Sequence, residues 1–513
     1  VPPEEDLRPE IADVGRLVRR GIRRVVVAAR ADQHDRLGRL IREHLAGGDG
    51  SADGAAAAVP AQAADDAGPG GVDDASRDGV VQESWPGYEH VNVQAALNAW
   101  LAEPDVVHEL VGVVNYQHRN VGLAELLALG GPGQEPWAPQ PGTVSRVNLP
   151  SGPDGQVFSC VRFGIYLLTT PQARLAILMH GPEPESGLAT AVVQVIADRP
   201  GAAAPVAARI RQLAVEHNVF RGQVLSFGDQ VFGAGPDGVL QFHSRPRLPA
   251  DHLILPAETL ATIRRQAVGV ARHSGRLLAS GQHLKRGLLL YGPPGAGKTH
   301  TVRHLLSELT GTTVVQVSGQ SIHLIGAACS VARSLQPAMV VVEDVDLIAE
   351  DRGMHPGQHP MLFQLLNEMD GLAEDADVVF VLTTNRADLL EPALAARPGR
   401  VDQAVELSLP DAAARRRLFA LYRGGLRVDT SRLDDVIGRT EGVTASFLKE
   451  LLRRAALFAA ERDADEEGDT DDREIGADDP RPLTVTADDL DAALEELLSH
   501  HNAMTRVLLG SVS

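Results

Sequence analysis

An α/β fold, a parallel sheet sandwiched by helices, is what the sequence predicts for the second half of this 513-residue chain, and three stretches predict it. First, Gly292-Pro293-Pro294-Gly295-Ala296-Gly297-Lys298-Thr299 directly follows the apolar run 287–291 and directly precedes a helical pattern that begins near His300. Second and third, the runs 339–342 and 378–382 are continuously apolar, as strands buried on both faces are. They end in the polar tips Glu343-Asp344-Val345-Asp346 and Thr383-Thr384-Asn385-Arg386.

The glycine-rich octet carries its own chemistry. Gly292, Gly295 and Gly297 let backbone N–H groups curl around phosphates, and Pro293, Pro294 and Ala296 belong to the same nucleotide-binding loop. Lys298 reaches the terminal phosphates, the Thr299 hydroxyl is placed to coordinate Mg²⁺, and the helix opening at His300 presents its positive end. A nucleoside triphosphate is the predicted ligand, and the carboxylates that end the second run are expected to face its phosphates.

Further on, the chain reads Glu391-Pro392-Ala393-Leu394 and then Arg397-Pro398-Gly399-Arg400-Val401-Asp402. With these in place, residues 254–498 resemble an AAA-family ATPase module. The resemblance implies a P-loop NTPase sheet with an all-α lid, binding ATP and Mg²⁺ and hydrolysing the nucleotide. It also assigns roles. Lys298 and Thr299 hold phosphates and metal, and Glu343 takes the place of the Asp that orients Mg²⁺. Asp344 takes the place of the Glu that polarises the attacking water, so the usual Asp-Glu order is inverted and the second carboxylate is one methylene shorter. Asn385 corresponds to sensor 1. Arg397 and Arg400 match the paired arginines at the subunit edge, with Arg397 favoured as the finger acting on a neighbour's nucleotide. An extra Ala before Arg397 leaves the choice between them open.

A finger supplied in trans implies a ring, since each subunit then completes its neighbour's site. The family resemblance makes it a homo-hexamer. Asp370-Gly371-Leu372 resembles the intersubunit signalling motif, with Leu in place of Phe. The pore loop, which in unfoldases presents an aromatic, an aliphatic and Gly, corresponds here to Leu324-Ile325-Gly326 after His323. The aromatic is missing, so a gripping loop and a plain apolar filling of the subunit remain equal alternatives. Residues 351–360, with His355 and His359, form the expected second pore loop, read as a flexible loop because no ligand partners accompany the histidines.

Residues 411–422 and 442–461 read as lid helices, and Thr484-Val485-Thr486-Ala487 as the capped start of another. Residues 461–479 form an acidic insertion in the lid, expected to be a solvated loop. Where the family opens its sensor 2 helix, the chain has Thr444-Ala445-Ser446-Phe447-Leu448 followed by Lys449, so an arginine is lacking.

The remaining organisation is a helical, Arg-rich segment over 1–45, an Ala/Gly/Asp/Pro-rich linker over 46–84 expected to be disordered, and a foldable stretch over 85–250. That stretch predicts an α+β N-terminal domain with helices over 91–101, 121–129 and 203–217 and strands over 144–149, 157–169, 175–180 and 191–197. The ATPase module then divides into a large subdomain over 251–410 and a lid over 411–513.

Net charge is −20, which disfavours nucleic acid as a partner. The two cysteines, Cys160 and Cys329, fit a reducing compartment. No apolar run is long enough to span a bilayer, so a cytoplasmic location without membrane contact is expected. His108-Glu109 lacks the second His of a zinc protease motif and no protease domain is seen after the lid, which argues against the AAA protease reading. The expectation is a hexameric ATP-driven remodeller that takes a protein client through its N-terminal domain and pore. The alternatives are a nucleotide-gated switch of low turnover and, less favoured, a nucleic-acid motor.

Overall fold

In the N-terminal unit, apolar residues alternate between the two faces of each central strand, and both faces are covered. The computed structural model describes residues 36–47, 79–115, 121–128, 139–183, 188–227, 240–318, 321–346, 360–388, 401–466 and 482–499. They fall into two units, Val1–Val219 with Gln230–Leu240, and Phe220–Asp229 with Gln241–Ser513.

The first unit runs α1 (Arg36–Ala46), β1 (Val81–Pro86), α2 (His90–Leu101), β2 (Val107–Val114), α3 (Leu123–Ala128), β3 (Gln140–Gly142) and β4 (Ser145–Pro150). It continues with β5 (Val157–Thr169), β6 (Arg174–His180), β7 (Thr190–Ala197) and α4 (Ala203–Glu216). The sheet order is β1-β7-β6-β5-β2-β3, with β4 also on β5, and the pairings are antiparallel. On one face Tyr166, Leu168, Leu175, Ile177 and Met179 pack with Leu97, Trp100 and Ile210 of α2 and α4. On the other, Phe163, Ile165, Leu167, Ala176 and Leu178 pack with Leu37 and Ile41 of α1 and Leu123 and Leu126 of α3. This two-residue period lets one strand feed two cores.

The expected N-terminal helices and strands occur within a few residues of their predicted bounds. Three differences are physical. Residues 81–84, expected as the end of a disordered linker, begin β1 because they pair with Val195–Val192 of β7. The segment over 36–46 is not a separate helical arm, because Leu37 and Ile41 are buried in the domain core. The stretch His108-Glu109 is strand, paired to Leu168 and Leu167 of β5.

The second unit contains β8 (Val224–Phe227), β9 (Leu240–His243), α5 (Ala257–Arg264), α6 (Val270–Ala279), β10 (Arg286–Tyr291), α7 (Lys298–Glu308) and β11 (Thr313–Val317). Next come α8 (Ile325–Ser334), β12 (Ala338–Val342), α9 (Pro360–Asp370), β13 (Val378–Thr384) and β14 (Gln403–Glu406). The sheet order is β14-β10-β13-β12-β11-β8-β9, and the pairings from β14 to β8 are parallel. Parallel pairing forces crossover helices onto the faces. Accordingly Leu288, Leu290, Met339, Val341, Val379 and Val381 share a core with Val302, Leu305 and Leu306 of α7.

Strands β8 and β9 correct the expected domain boundary at 250. Val224, Leu225 and Ser226 pair with Val314, Val315 and Gln316, so this part of the expected N-terminal domain extends the ATPase sheet. Arg245 fastens the same segment: its guanidinium donates to the carbonyls of Leu306, Leu309, Gly222 and Thr312 at 2.7–3.1 Å.

The lid comprises α10 (Ala412–Tyr422), β15 (Arg427–Val428), α11 (Leu433–Arg439), α12 (Ala445–Glu466), β16 (Thr484–Val485) and α13 (Ala487–Leu498). It is helical but not all-α, since β15 and β16 form a short parallel ladder. That ladder takes Thr484 and Val485 out of the helix they were expected to open. Thr486 is the N-cap instead, in a capping box with Asp489. Residues 461–466 of the expected insertion continue α12, and 467–479 lie outside the described residues.

Candidate functional site

Strand β10 lies between β14 and β13, and the chain leaves it into the phosphate loop at the carboxyl edge of the sheet. In open α/β sheets this edge, where strand order reverses, is where ligands bind. Local sequence explains the turn. Gly292 has φ 147°, and a Cβ there would sit 2.2 Å from the Leu407 carbonyl oxygen. Gly295 (φ 78°) and Gly297 (φ 100°) also have left-handed backbone, which only glycine adopts cheaply. Gly297 is the N-cap of α7, so the helix begins at Lys298 itself.

The Lys298 ammonium is buried and donates to the carbonyls of Gly292 at 2.8 Å and Pro293 at 2.9 Å. Burial pulls its pKa down, while the carboxylates of Asp344 and Asp346 push it back up. Those carboxylates therefore face Lys298 from beyond the end of β12, the geometry expected of the acidic tip. Pro294 is exposed, whereas Ala296 is buried in the core under the loop.

The Thr299 hydroxyl lies near enough to Glu343 to lower its pKa, and Glu343 Oε1 is buried with no hydrogen-bond partner among the described residues. Desolvation raises the Glu343 pKa and neighbouring Asp344 raises it further, against the Thr299 hydroxyl and Arg303. A hydroxyl and an unsatisfied carboxylate oxygen side by side are hard oxygen donors that suit Mg²⁺. Such a metal takes only one or two protein ligands and completes its shell with phosphate and water. Among the described residues no group of three or more His, Cys, Asp or Glu forms a metal site.

Asp344 is solvent-exposed and has φ 52°, in the left-handed region. Its N–H donates to the Thr383 hydroxyl at 3.1 Å. Asp346 is 6% exposed, and its Oδ1 accepts from the Thr384 hydroxyl at 2.9 Å and the Asn385 N–H at 3.2 Å. Asn385 is thereby held by its backbone just past β13, and the residue is exposed.

The structure thus brings Gly292–His300, Glu343, Asp344 and Asn385 to one edge of the sheet. Arg397 and Arg400 lie outside the described residues, as do 351–359 of the expected second pore loop. Sequence reasoning gave no role to Asp346, Thr383 or Arg303. The first had a signal in the third acidic residue of Glu343-Asp344-Val345-Asp346, but the hydroxyl of Thr383 becomes informative only once β12 and β13 are neighbours.

His300 is half-buried, and burial lowers its pKa with help from Arg303, Lys449, His252 and His304. Lys449 of the lid is therefore close to the helix that follows the phosphate loop. The lid also meets the loop directly, because a Cβ on Gly295 would lie 2.9 Å from Thr444 Oγ1 and 3.2 Å from Ser446 Oγ. In the expected pore motif, Ile325 is fully buried and begins α8, Leu324 is half-buried and His323 is exposed. Leu372 of the expected signalling motif is also buried, at 4% exposure.

Comparison with known proteins agrees with the geometry. Residues 288–409 match the family described as ATPase family associated with various cellular activities (AAA). The chain is 35% identical over 195 residues to an ATP-dependent zinc metalloprotease FtsH of Mycobacterium leprae, covering 35% of this chain and 24% of that protein. It is 36% identical over 205 residues to FtsH 2 of Sphaerobacter thermophilus, covering 38% and 31%. With FtsH 3 of the same organism identity is 33% over 269 residues, half of each chain. The chain therefore spans from about a quarter to half of the length of these relatives. ATP with Mg²⁺ is the nucleotide chemistry of the family, and residues 288–409 of this chain are an AAA ATPase domain.

Proposed function

We propose that this chain is an ATP-driven protein remodeller, a hexameric ring that uses hydrolysis to unfold, thread or disassemble a client recruited by its N-terminal domain. The observation that carries the hydrolytic part is the convergence of Lys298, the Thr299–Glu343 pair and Asp344 at one sheet edge. Mg²⁺ held here would supply positive charge against the terminal phosphates. Thr299 and Glu343 would hold the metal, and Lys298 would leave its loop carbonyls for the terminal phosphates. Asp344, exposed beside them, would accept hydrogen bonding from the attacking water. Asn385 would orient that water and the γ-phosphate. Arg397, with Arg400 as its alternative, would stabilise transition-state charge in the neighbouring subunit.

Protein as the client class is supported by the relatives, which are named as ATP-dependent proteases, and by a net charge of −20, which opposes phosphate-backbone binding. The protease activity in those names belongs to proteins of which this chain matches only a part. Among the described residues, no helix is long and apolar enough to cross a membrane.

A second reading, a nucleotide-gated switch of low turnover, is favoured by one observation. Ile325 is 0% exposed and packs inside its own subunit, so the aliphatic member of the expected gripping motif is not available to a threaded chain. Three measurements test these readings. ATP turnover should stop in Asp344→Asn while ATP binding persists. Mixing Asp344→Asn with Arg397→Ala subunits should restore part of the turnover in rings shown to be mixed. Turnover stimulated by a protein client supports the remodeller, and turnover indifferent to every client tested supports the switch.

A further inference from the structure

Asp344 is short and has few degrees of freedom, so where its carboxylate sits depends mainly on its backbone. That backbone is in an unusual state. Glu343 still follows the strand pattern, its N–H donating to the Val317 carbonyl of β11 at 3.2 Å. One residue later the chain turns to φ 52°, a conformation that Asp tolerates better than most residues but that remains costly. The N–H of Asp344 then points toward β13. The ladder between β12 and β13 pairs Val342 with Leu382, its last partners, so no strand carbonyl serves Asp344. Its N–H is received instead by a side chain, the hydroxyl of Thr383 at 3.1 Å. Thr383 is itself 1% exposed and fixed within β13, with a β-branched side chain that has few rotamers in a strand.

We propose that Thr383 is a positioning residue for ATP turnover: its hydroxyl holds the left-handed backbone of Asp344 and thereby aims the Asp344 carboxylate at the attacking water. The assignment rests on the reading that Asp344 polarises that water. In an enzyme with the longer Glu at this place, side-chain torsions can correct a small backbone error. Here the shorter acid shifts the burden to the backbone, and Thr383 carries it. Thr383 is buried within β13 and its hydroxyl is taken up by the Asp344 N–H, so its loss is expected to leave nucleotide affinity nearly unchanged.

The test separates hydroxyl from volume. Thr383→Val keeps the shape and removes the hydroxyl, whereas Thr383→Ser keeps the hydroxyl and removes volume. In the full chain at saturating Mg²⁺-ATP, Thr383→Val should lose about tenfold or more in kcat, with ATP affinity by calorimetry within about twofold of the parent. Thr383→Ser should regain most of that rate. If Thr383→Val does not fold, Thr383→Ala takes its place, and a slow Ala beside a fast Ser gives the same support. Unchanged kcat in Thr383→Val, or a Ser variant as slow as Ala, overturns the proposal by showing that Thr383 only fills space. Failure of the underlying reading looks different: Asp344→Asn would then turn over ATP as fast as the parent chain.

Discussion

Asp346 and Thr384 are joined by a 2.9 Å hydrogen bond from the Thr384 hydroxyl to Oδ1, and the same oxygen accepts the N–H of Asn385. One buried carboxylate thus ties the segment after β12 to the tip of β13 and fixes where Asn385 begins. Asp346→Ala would leave a buried hydroxyl and an N–H without this acceptor, at a cost of about 1–3 kcal/mol for each unsatisfied group. Asp346→Asn keeps a carbonyl oxygen and should cost less. The check is calorimetric melting, read on the transition that added nucleotide shifts upward. Equal melting of Asp346→Ala and the parent chain would remove Asp346 from this role.

Lys298→Ala should abolish ATP binding without unfolding the module. Among the described residues its ammonium bonds only to the loop carbonyls of Gly292 and Pro293, which are half-buried, so water can reach them once the side chain is removed. Titration calorimetry reads the loss of binding, and retained melting shows that the fold survives. Unchanged affinity would contradict the placement of the phosphates at this loop.

Two glycines of the loop should respond unequally to a single added carbon. Gly292→Ala places Cβ 2.2 Å from a backbone oxygen of Leu407, whose N–H is bound to the Tyr291 carbonyl at 2.8 Å. Relief requires separating the loop from the segment after β14, so a loss of about 3 kcal/mol or more is expected. At Gly297, φ is 100° and no atom lies within 4 Å of the added carbon, leaving only the left-handed backbone penalty of about 1–2 kcal/mol. Chemical denaturation of the two variants should rank them in that order.

The ATPase half was legible because its signals are local and repeated along the chain. Continuous apolar runs at 339–342 and 378–382 marked doubly covered parallel strands, and Gly292–Thr299 fixed both the turn and its ligand. What escaped depends on contacts that no spacing encodes. Val224–Phe227 reads as an ordinary short strand, and only its pairing with β11 assigns it to the ATPase sheet rather than to the domain before it. Thr383 lies 39 residues after Asp344 and meets it only because β12 and β13 are neighbours. The pore reading was limited differently: Leu324-Ile325-Gly326 fits either a loop or a helix start, and the burial of Ile325 in α8 is a tertiary outcome.

The N-terminal domain should be acid-labile through His90. This residue is 0% exposed at the start of α2, and its Nε2 lies 2.9 Å from the Val161 carbonyl. Gln94, one turn on, accepts the Val161 N–H at 2.8 Å and donates to the Tyr166 hydroxyl, so the helix grips both backbone groups of one β5 residue. Burial pushes the His90 pKa from 6.5 down to about 4, with the bond to Val161 opposing and nearby His180 adding to the fall. The unfolded chain then takes up a proton that the folded one refuses. Stability from this group is whole above about pH 6.5 and is lost as pH falls toward about 4, at most about 3 kcal/mol. His90→Gln keeps a side-chain donor and cannot titrate, so it should flatten the dependence. All three tryptophans, Trp85, Trp100 and Trp137, precede residue 220, so their fluorescence reports on this domain alone. Neighbouring Glu89, whose pKa burial raises, shifts stability in the opposite sense but is common to both proteins and cancels in the comparison. Urea midpoints near pH 7 and near pH 5 should fall further apart in the parent chain than in His90→Gln, and equal falls would assign the acid sensitivity elsewhere.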